Sequence, residues 1–284
     1  MRAHSNLFTV AVGGDRFECR PRGRFRRLGQ KVLVGDQVRV LVTGPAEGAI
    51  EAVLPRRNRL ERPAVANVDQ AVIVCSAREP VSSLLTVDRM AVEAVHENLA
   101  VLLCLNKIDL LEPGEAERVL EPYRTAGFRT CSTSATAGRG LDQLRRELAG
   151  VVSVFAGESG VGKSSLLNAL RPGLSLRTGE LGAWRRGRHT TRHVELLEVE
   201  AGGLVADTPG LSLVALPPLA PSALAGYWPD LAVLAPGCRF RSCLHRDEPD
   251  CRVKAAVAAG ELDRGRYERY LGLLDEAERT YRRY

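Results

Sequence analysis

Eight consecutive residues, Gly157-Glu158-Ser159-Gly160-Val161-Gly162-Lys163-Ser164, have the types and spacing that cradle a nucleotide's phosphates. The glycines let the backbone curl so that successive N–H groups, from Gly157 through Ser165, face the phosphate oxygens. The helix that follows adds the positive end of its dipole. Lys163 would reach the β- and γ-phosphates and the Ser164 hydroxyl would ligate Mg²⁺. An apolar strand pattern, VVSVFAG, runs into the loop and a helical pattern, VGKSSLLNALRP, runs out of it. That context separates a phosphate loop from a glycine-rich turn with a fortuitous lysine.

A base reader stands earlier in the chain. Asn106-Lys107-Ile108-Asp109 follows the apolar run LAVLLCL directly, where a strand of an open α/β sheet would deliver a ligand contact. The Asp109 carboxylate can accept from both the N1–H and the exocyclic amine of guanine. Adenine offers no such pair, so Asp109 would select GTP over ATP. Asn106 would contribute loop and base contacts, and Lys107 would lay its stem on the ring. Ser134-Ala135, after FRTC, fits the short loop that supports guanine through backbone N–H groups. In ordinary GTPases the base reader follows the phosphate loop. Here it precedes it, so the parts stand in rotated order.

Asp207-Thr208-Pro209-Gly210 closes the strand pattern GLVA. In this D-x-x-G arrangement Asp207 would hold Mg²⁺ through a water, and the Gly210 N–H would sense the γ-phosphate. Upstream lies Gly187-Arg188-His189-Thr190-Thr191; Thr190 or Thr191 would be the switch threonine on Mg²⁺, and the residues do not say which. Leu211 occupies the place where many GTPases carry a water-orienting glutamine. An aliphatic side chain cannot orient water, so intrinsic turnover is expected to be slow. His189 is the nearest polar candidate for that duty, since imidazole titrates near about pH 6.5 and is neutral above it. A plain loop residue is the equal alternative.

Cys238-x4-Cys243-x-His245-x5-Cys251 gathers three thiols and one imidazole within a short polar stretch. Such a Cys₃His set suits tetrahedral Zn²⁺ in a structural role, with the ion organising a loop too polar to fold around a core. The remaining four cysteines, Cys19, Cys75, Cys104 and Cys131, are scattered and are expected to be reduced core thiols.

Bulk properties constrain the setting. The chain has 284 residues with 45% hydrophobic content, enough for packed cores and against wholesale disorder. No run approaches the ~18 apolar residues of a membrane span, and MRAHSNLFTV lacks a signal-peptide core; a soluble cytoplasmic protein is expected. The net charge of +6 is uneven: residues 1–64 carry 13 Lys and Arg against 6 Asp and Glu. A basic segment with Arg22, Arg24, Arg26 and Arg27 around Phe25, then Arg56 and Arg57, suggests RNA as a polyanionic partner. The simpler alternative is a solvated basic face.

The elements that must position these residues follow from periodicity. Residues 1–64 show short apolar alternations broken by turn signals, which predicts a small β-barrel compatible with an oligonucleotide-binding (OB) fold. Strand and helix patterns then alternate, predicting a mainly parallel sheet covered on both faces. After residue 217 prolines break the pattern, and short helical pieces surround the cysteine cluster before a last long helix. The expectation is a multidomain chain: an N-terminal OB-fold barrel over 1–64, a central circularly permuted α/β P-loop GTPase domain over 65–216, and a C-terminal, mainly helical zinc-binding domain over 217–284.

With the base reader before the phosphate loop, D-x-x-G after it, a barrel in front and Cys-x4-Cys-x-His-x5-Cys behind, the chain resembles the ribosome small-subunit-dependent GTPase A family, the circularly permuted GTPases of bacteria. The resemblance spans essentially the whole chain. It implies GTP hydrolysis with Mg²⁺, stimulation by the 30S subunit, contacts of the barrel and zinc domains with 16S rRNA, and a late role in 30S assembly alongside other 30S assembly factors. It implies that His189 acts in hydrolysis, and the family too carries an aliphatic residue where Leu211 stands. Nothing argues for an obligate oligomer, so a monomer is expected. A translation-regulating GTP switch with little hydrolysis is the runner-up. A small-molecule kinase is a third reading, which Asp109 opposes. The rotated order places D-x-x-G just before the metal region, which suggests that nucleotide state is transmitted to the C-terminal domain.

Overall fold

The computed structural model describes residues 3–4, 7–23, 25, 29–61, 64–171, 195–199, 202–211 and 216–281, with backbone alone for 3–4 and 207–211. At the N-terminus a sheet runs β1-β2-β3-β5-β4, with β1 Ala3–His4, β2 Leu7–Val12, β3 Asp15–Pro21, β4 Val38–Gly44 and β5 Glu47–Val53. Gly13 and Gly14 take positive φ of 58° and 98°, which closes the β2–β3 hairpin as only glycine does cheaply. Pairing is antiparallel except β3 with β5, which is parallel. That mixed order agrees with the expected OB-type barrel. Its small core is Val10, Cys19, Phe25 and Ile50.

The hairpin β6 Arg59–Glu61 and β7 Ala64–Ala66 leads out of the barrel. Residues 64 and 65, where the first domain boundary was expected, both lie in β7. Val34 of the barrel side bridges to Val65, and both pack in one cluster with the central sheet. The two units are therefore joined through apolar contact at that point.

The central sheet has the order β10-β9-β8-β11-β13-β12. Its strands are β8 Gln70–Ser76, β9 Ala100–Asn106, β10 Arg129–Ser132, β11 Val152–Ala156, β12 Glu195–Glu198 and β13 Leu204–Leu211. All neighbours are parallel except the edge pair β12–β13. Every residue of β8 is buried, because successive side chains feed opposite covered faces. Ala71, Ile73 and Cys75 meet α1 Leu84–His96 and α2 Glu115–Thr125. Val72 and Val74 meet α3 Leu141–Leu148 and α4 Lys163–Leu170. Parallel pairing sets the carboxyl ends of β8, β9, β10, β11 and β13 along one edge.

Short helical pieces and one long helix form the C-terminal lobe: a 3₁₀ turn at Pro221–Tyr227, α5 Pro229–Leu234, α6 Arg252–Ala258 and the long α7 Arg264–Tyr281. Leu216 already packs in this lobe's core, beside Trp228, Leu231, Val253 and Tyr270, and Val92 of α1 joins the same cluster. No helix among the described residues is long and apolar enough to cross a membrane.

The seam between lobe and sheet is held by a buried cation. Arg266 is 1% exposed. It donates to Asp88 of α1 at 3.2 Å and to Asp230 at 3.1 Å. Its guanidinium lies over the rings of Trp228, Tyr123 and Phe128 at 4.7, 4.9 and 5.4 Å. Arg269 also donates to Asp88. Two carboxylates and three aromatic faces replace the water the cation gave up. Arg266→Ala should lower unfolding stability by about 3–5 kcal/mol, because it leaves Asp230 without its buried partner and opens the aromatic pocket; urea denaturation of the full chain measures this.

Candidate functional site

The phosphate loop spans the gap from β11 to α4. Gly157 and Gly162 have φ of 143° and 99°. A Cβ on Gly157 would sit 2.3 Å from the Val74 carbonyl oxygen, and one on Gly162 would sit 2.3 Å from Asn106 Nδ2. Both positions thus require glycine for conformation and for space. Val161, Lys163 and Ser164 are buried, Ser159 and Gly160 are exposed, and Ser165 is half-buried in the first turn of α4. Lys163 Nζ donates to the carbonyls of Gly157 at 2.8 Å and Glu158 at 2.7 Å. Burial lowers its pKa to about 8, partly offset by the nearby Glu158 carboxylate.

The base reader meets this loop across the sheet edge. Asn106 ends β9, one strand beyond β8 from the phosphate-loop strand, and its Nδ2 donates to Val161 O at 2.9 Å. Its Oδ1 accepts from Thr133 Oγ1 at 3.1 Å and from Ala135 N at 3.3 Å. Lys107 takes a left-handed φ of 65°, and its Nζ donates to Glu79 O at 2.5 Å. Asp109 is exposed and accepts from Ser134 Oγ at 2.5 Å and Thr136 Oγ1 at 3.4 Å. The Ser134 hydroxyl holds its carboxyl below the usual range, so it is anionic at neutral pH. The structure therefore gathers Asn106, Lys107, Asp109, Ser134, Ala135 and the whole phosphate loop at one edge.

Asp207 and Gly210 both lie on β13, with Asp207 paired to Glu195 through the backbone; their side-chain placement lies outside the described residues, as do His189, Thr190 and Thr191. Thr133, Thr136 and Glu79 are site residues that sequence reasoning missed. Thr133 and Thr136 flank Ser134-Ala135 and could have been noticed as hydroxyls beside the base loop, whereas Glu79 acts through its carbonyl and leaves no side-chain signal.

In the C-terminal lobe, the ligand atoms of Cys238, Cys243, His245 and Cys251 all lie within 4.8 Å of one another. Cys238 and Cys251 Sγ are 3.8 Å apart, and each is 3.5 Å from His245 Nδ1. A tetrahedron with metal–sulfur bonds of about 2.3 Å has edges of about 3.8 Å, so the donors fit an ion. Glu248 accepts from the N–H groups of Leu244 and Arg246 at 2.7 and 3.0 Å. Tyr267 and Tyr270 donate to the carbonyls of His245 and Leu244 at 2.7 and 3.1 Å. These bonds hold the loop around its ligands.

Of the arginines expected on an RNA surface, Arg24, Arg26 and Arg27 lie outside the described residues. Arg56 makes a tie within the barrel: its guanidinium donates to Asp36 at 2.6 Å and to Lys31 O at 2.7 Å. Asp36 lies 20 residues away, and only the fold brings it there. Arg22 and Arg57 pair with Glu51 and Asp69 at 2.8 and 2.6 Å but stay largely exposed. An open cleft of about 800 Å³ is lined by Arg22 together with Phe8, Arg20, Phe25 and Lys31.

Two outcomes follow. A phosphate chain beside Lys163 favours its ammonium, so binding above pH 8 must take up a proton. Guanine-nucleotide affinity should hold level below about pH 8 and fall toward tenfold per unit above it; fluorescent-GDP titrations from pH 7 to 9 measure this, with Lys163→Gln giving a flat profile. Removing the ion from the Cys₃His site with a strong chelator should lower the thermal midpoint by about 10 °C or more, with one equivalent of metal released.

Known proteins share this architecture. The model of the RsgA GTPase family matches residues 53–217, and that of the RsgA N-terminal domain matches residues 1–50. The small ribosomal subunit biogenesis GTPase RsgA of Moorella thermoacetica is 47% identical over 97% of this chain and 95% of its own length. Its counterpart from Geobacillus thermodenitrificans is 45% identical over 100% of this chain and 98% of its own. The crystal structure of YjeQ from Thermotoga maritima superposes with a TM-score of 0.83 at 38% identity, covering 96% of this chain and 95% of that one. The structure of YloQ, described as a circularly permuted GTPase, gives 0.82 at 36%, covering 97% and 92%. The chain belongs to the RsgA GTPase family.

Proposed function

We propose that this chain hydrolyses GTP to GDP and phosphate under stimulation by the small ribosomal subunit, and acts late in that subunit's assembly. The observation that carries the nucleotide reading is the bond from Asn106 Nδ2 to Val161 O at 2.9 Å. It seats a guanine-type reader against a phosphate loop despite their reversed order in the chain. The ribosomal reading is supported by relatives named small ribosomal subunit biogenesis GTPases, matched over nearly their full length.

Asp109 reads guanine, and Lys107 lies along the base. Backbone N–H groups from Gly157 to Ser165 hold the phosphates, and Lys163 neutralises charge that builds on them as the terminal phosphoryl group leaves. Ser164, Asp207 through a water, and Thr190 or Thr191 would hold Mg²⁺, which would supply positive charge against the phosphates. Water attacks the γ-phosphorus, the bond to the β–γ bridging oxygen breaks, and GDP leaves. Leu211 cannot direct that water, so His189 takes the task when the chain is on the ribosomal subunit, and Gly210 reports the γ-phosphate through its N–H. Zn²⁺ in the Cys₃His site is structural. Arg22 and Arg57, with the cleft at Phe8 and Phe25, contact 16S rRNA, joined by Arg24, Arg26 and Arg27. The protein works as a monomer in the cytoplasm, where it meets other 30S assembly factors.

GTP turnover by the purified protein, alone and with 30S subunits, 50S subunits or free rRNA, tests this. Turnover should be slow alone and rise at least about 100-fold with 30S subunits only, the scale of a partner completing a phosphoryl-transfer site. His189→Ala should remove most of that rise while leaving GDP binding intact. GTP binding with no stimulation by any of the three would leave the translation-switch reading instead.

A further inference from the structure

The segment 77–83, between β8 and α1, touches the candidate nucleotide site three times. Glu158 of the phosphate loop accepts the backbone N–H of Ser83 on its Oε2 at 3.0 Å. A Cβ on Gly160 would come within 3.2 Å of the Pro80 ring. Lys107 donates to Glu79 O. Ser83 is also the N-cap of α1, so the Glu158 carboxylate sits at the positive end of a 13-residue helix, where a negative charge is favoured.

The same helix carries the C-terminal lobe. Asp88, in its second turn, holds Arg266 and Arg269 of α7, and Arg89 holds Glu276 at 2.7 Å. Tyr267 and Tyr270 of α7 then bond the backbone of the metal loop. The contacts run without a gap from the phosphate loop to the metal loop: after Ser83 they pass along α1, across its ion pairs to α7, and through the two tyrosine hydroxyls to the metal-loop backbone. Packed elements of this kind shift as bodies rather than deform.

The end on the phosphate loop is positioned to respond. Lys163 Nζ is bonded to the carbonyls of Gly157 and Glu158. Phosphates on the loop would compete for that ammonium, so the Glu158 backbone is where their arrival is first felt.

We infer that Glu158 is a positioning residue that couples phosphate-loop occupancy to the C-terminal lobe, through the N-terminus of α1 and the Asp88–Arg266/Arg269 seam. This rests on the nucleotide site proposed above, and it is a second route beside any that leaves the end of β13. The coupling is a property of α1 as a body, so removing the acceptor on Glu158 cuts it without touching the lobe.

Hydrogen–deuterium exchange of the full, metal-loaded chain tests this, with and without saturating GDP or a non-hydrolysable GTP analogue; saturation is checked separately with fluorescent GDP. In the unaltered protein, nucleotide should slow exchange roughly tenfold at the first turn of α1 and in α7, a usual size for coupling between sites. Glu158→Ala should abolish the change at α7 at full nucleotide occupancy, and Glu158→Gln, which still presents an acceptor oxygen, should restore it. Arg269→Gln should keep the change at α1 and weaken it at α7. No change at α7 in the saturated, unaltered protein would overturn the inference, as would an undiminished change in Glu158→Ala. Failure to bind guanine nucleotide at all would instead refute the site itself.

Discussion

The amide of Asn106 is the constraint on which the nucleotide site depends. It is 1% exposed and spends its side chain on three partners, the carbonyl of Val161, the hydroxyl of Thr133 and the N–H of Ala135. A buried amide left without partners would be costly, so phosphate loop, base reader and base-supporting loop must sit in one register or none is stable. Gly162 is part of the bargain: any side chain there would strike Asn106 Nδ2. The three segments come from distant parts of the chain, and one planar amide fastens them.

That fastening works because the parallel sheet has already brought the segments together. Parallel strands end on the same edge, and the order β10-β9-β8-β11-β13-β12 sets the exits of β8, β9 and β10 on one side of the phosphate loop and β13 on the other. Rotation of the chain order leaves this arrangement untouched, because the contacts depend on which strands are neighbours rather than on which is made first. Its consequence lies at the chain's ends, where the barrel enters through β6 and β7 and the helical lobe leaves after β13.

The lobe is held by different physics. It is small, and its metal loop is polar, so two devices supplement its apolar core: four ligand side chains gathered to within 4.8 Å and a buried guanidinium shared by two carboxylates and three rings. Both are directional. An apolar seam could slide, whereas the Arg266 seam has one geometry in which all its partners are satisfied. The lobe therefore sits on α1 and α2 in a defined orientation, with Asp88 in common between the helix that begins beside the phosphate loop and the helix that braces the metal loop.

Much of this was legible in the residues. The glycine–lysine–serine loop, the Asn-Lys-x-Asp reader and the Cys₃His spacing are local patterns whose chemistry depends on identity and short separation, and apolar periodicity places each on its strand or helix. The expected barrel, parallel sheet and helical lobe all follow from that periodicity. Pairwise meetings over long separations were not legible. Nothing near Arg56 in the chain announces its bond to Asp36, and nothing near Asp88 announces Arg266, 178 residues later. By itself the sequence determined which chemistries the chain carries and which elements bear them, because those depend on residue type and neighbours a few positions away. The tertiary structure alone decided which charges are spent internally and which element links the phosphate loop to the metal lobe, because those depend on strand order and packing that bring together side chains far apart in the chain.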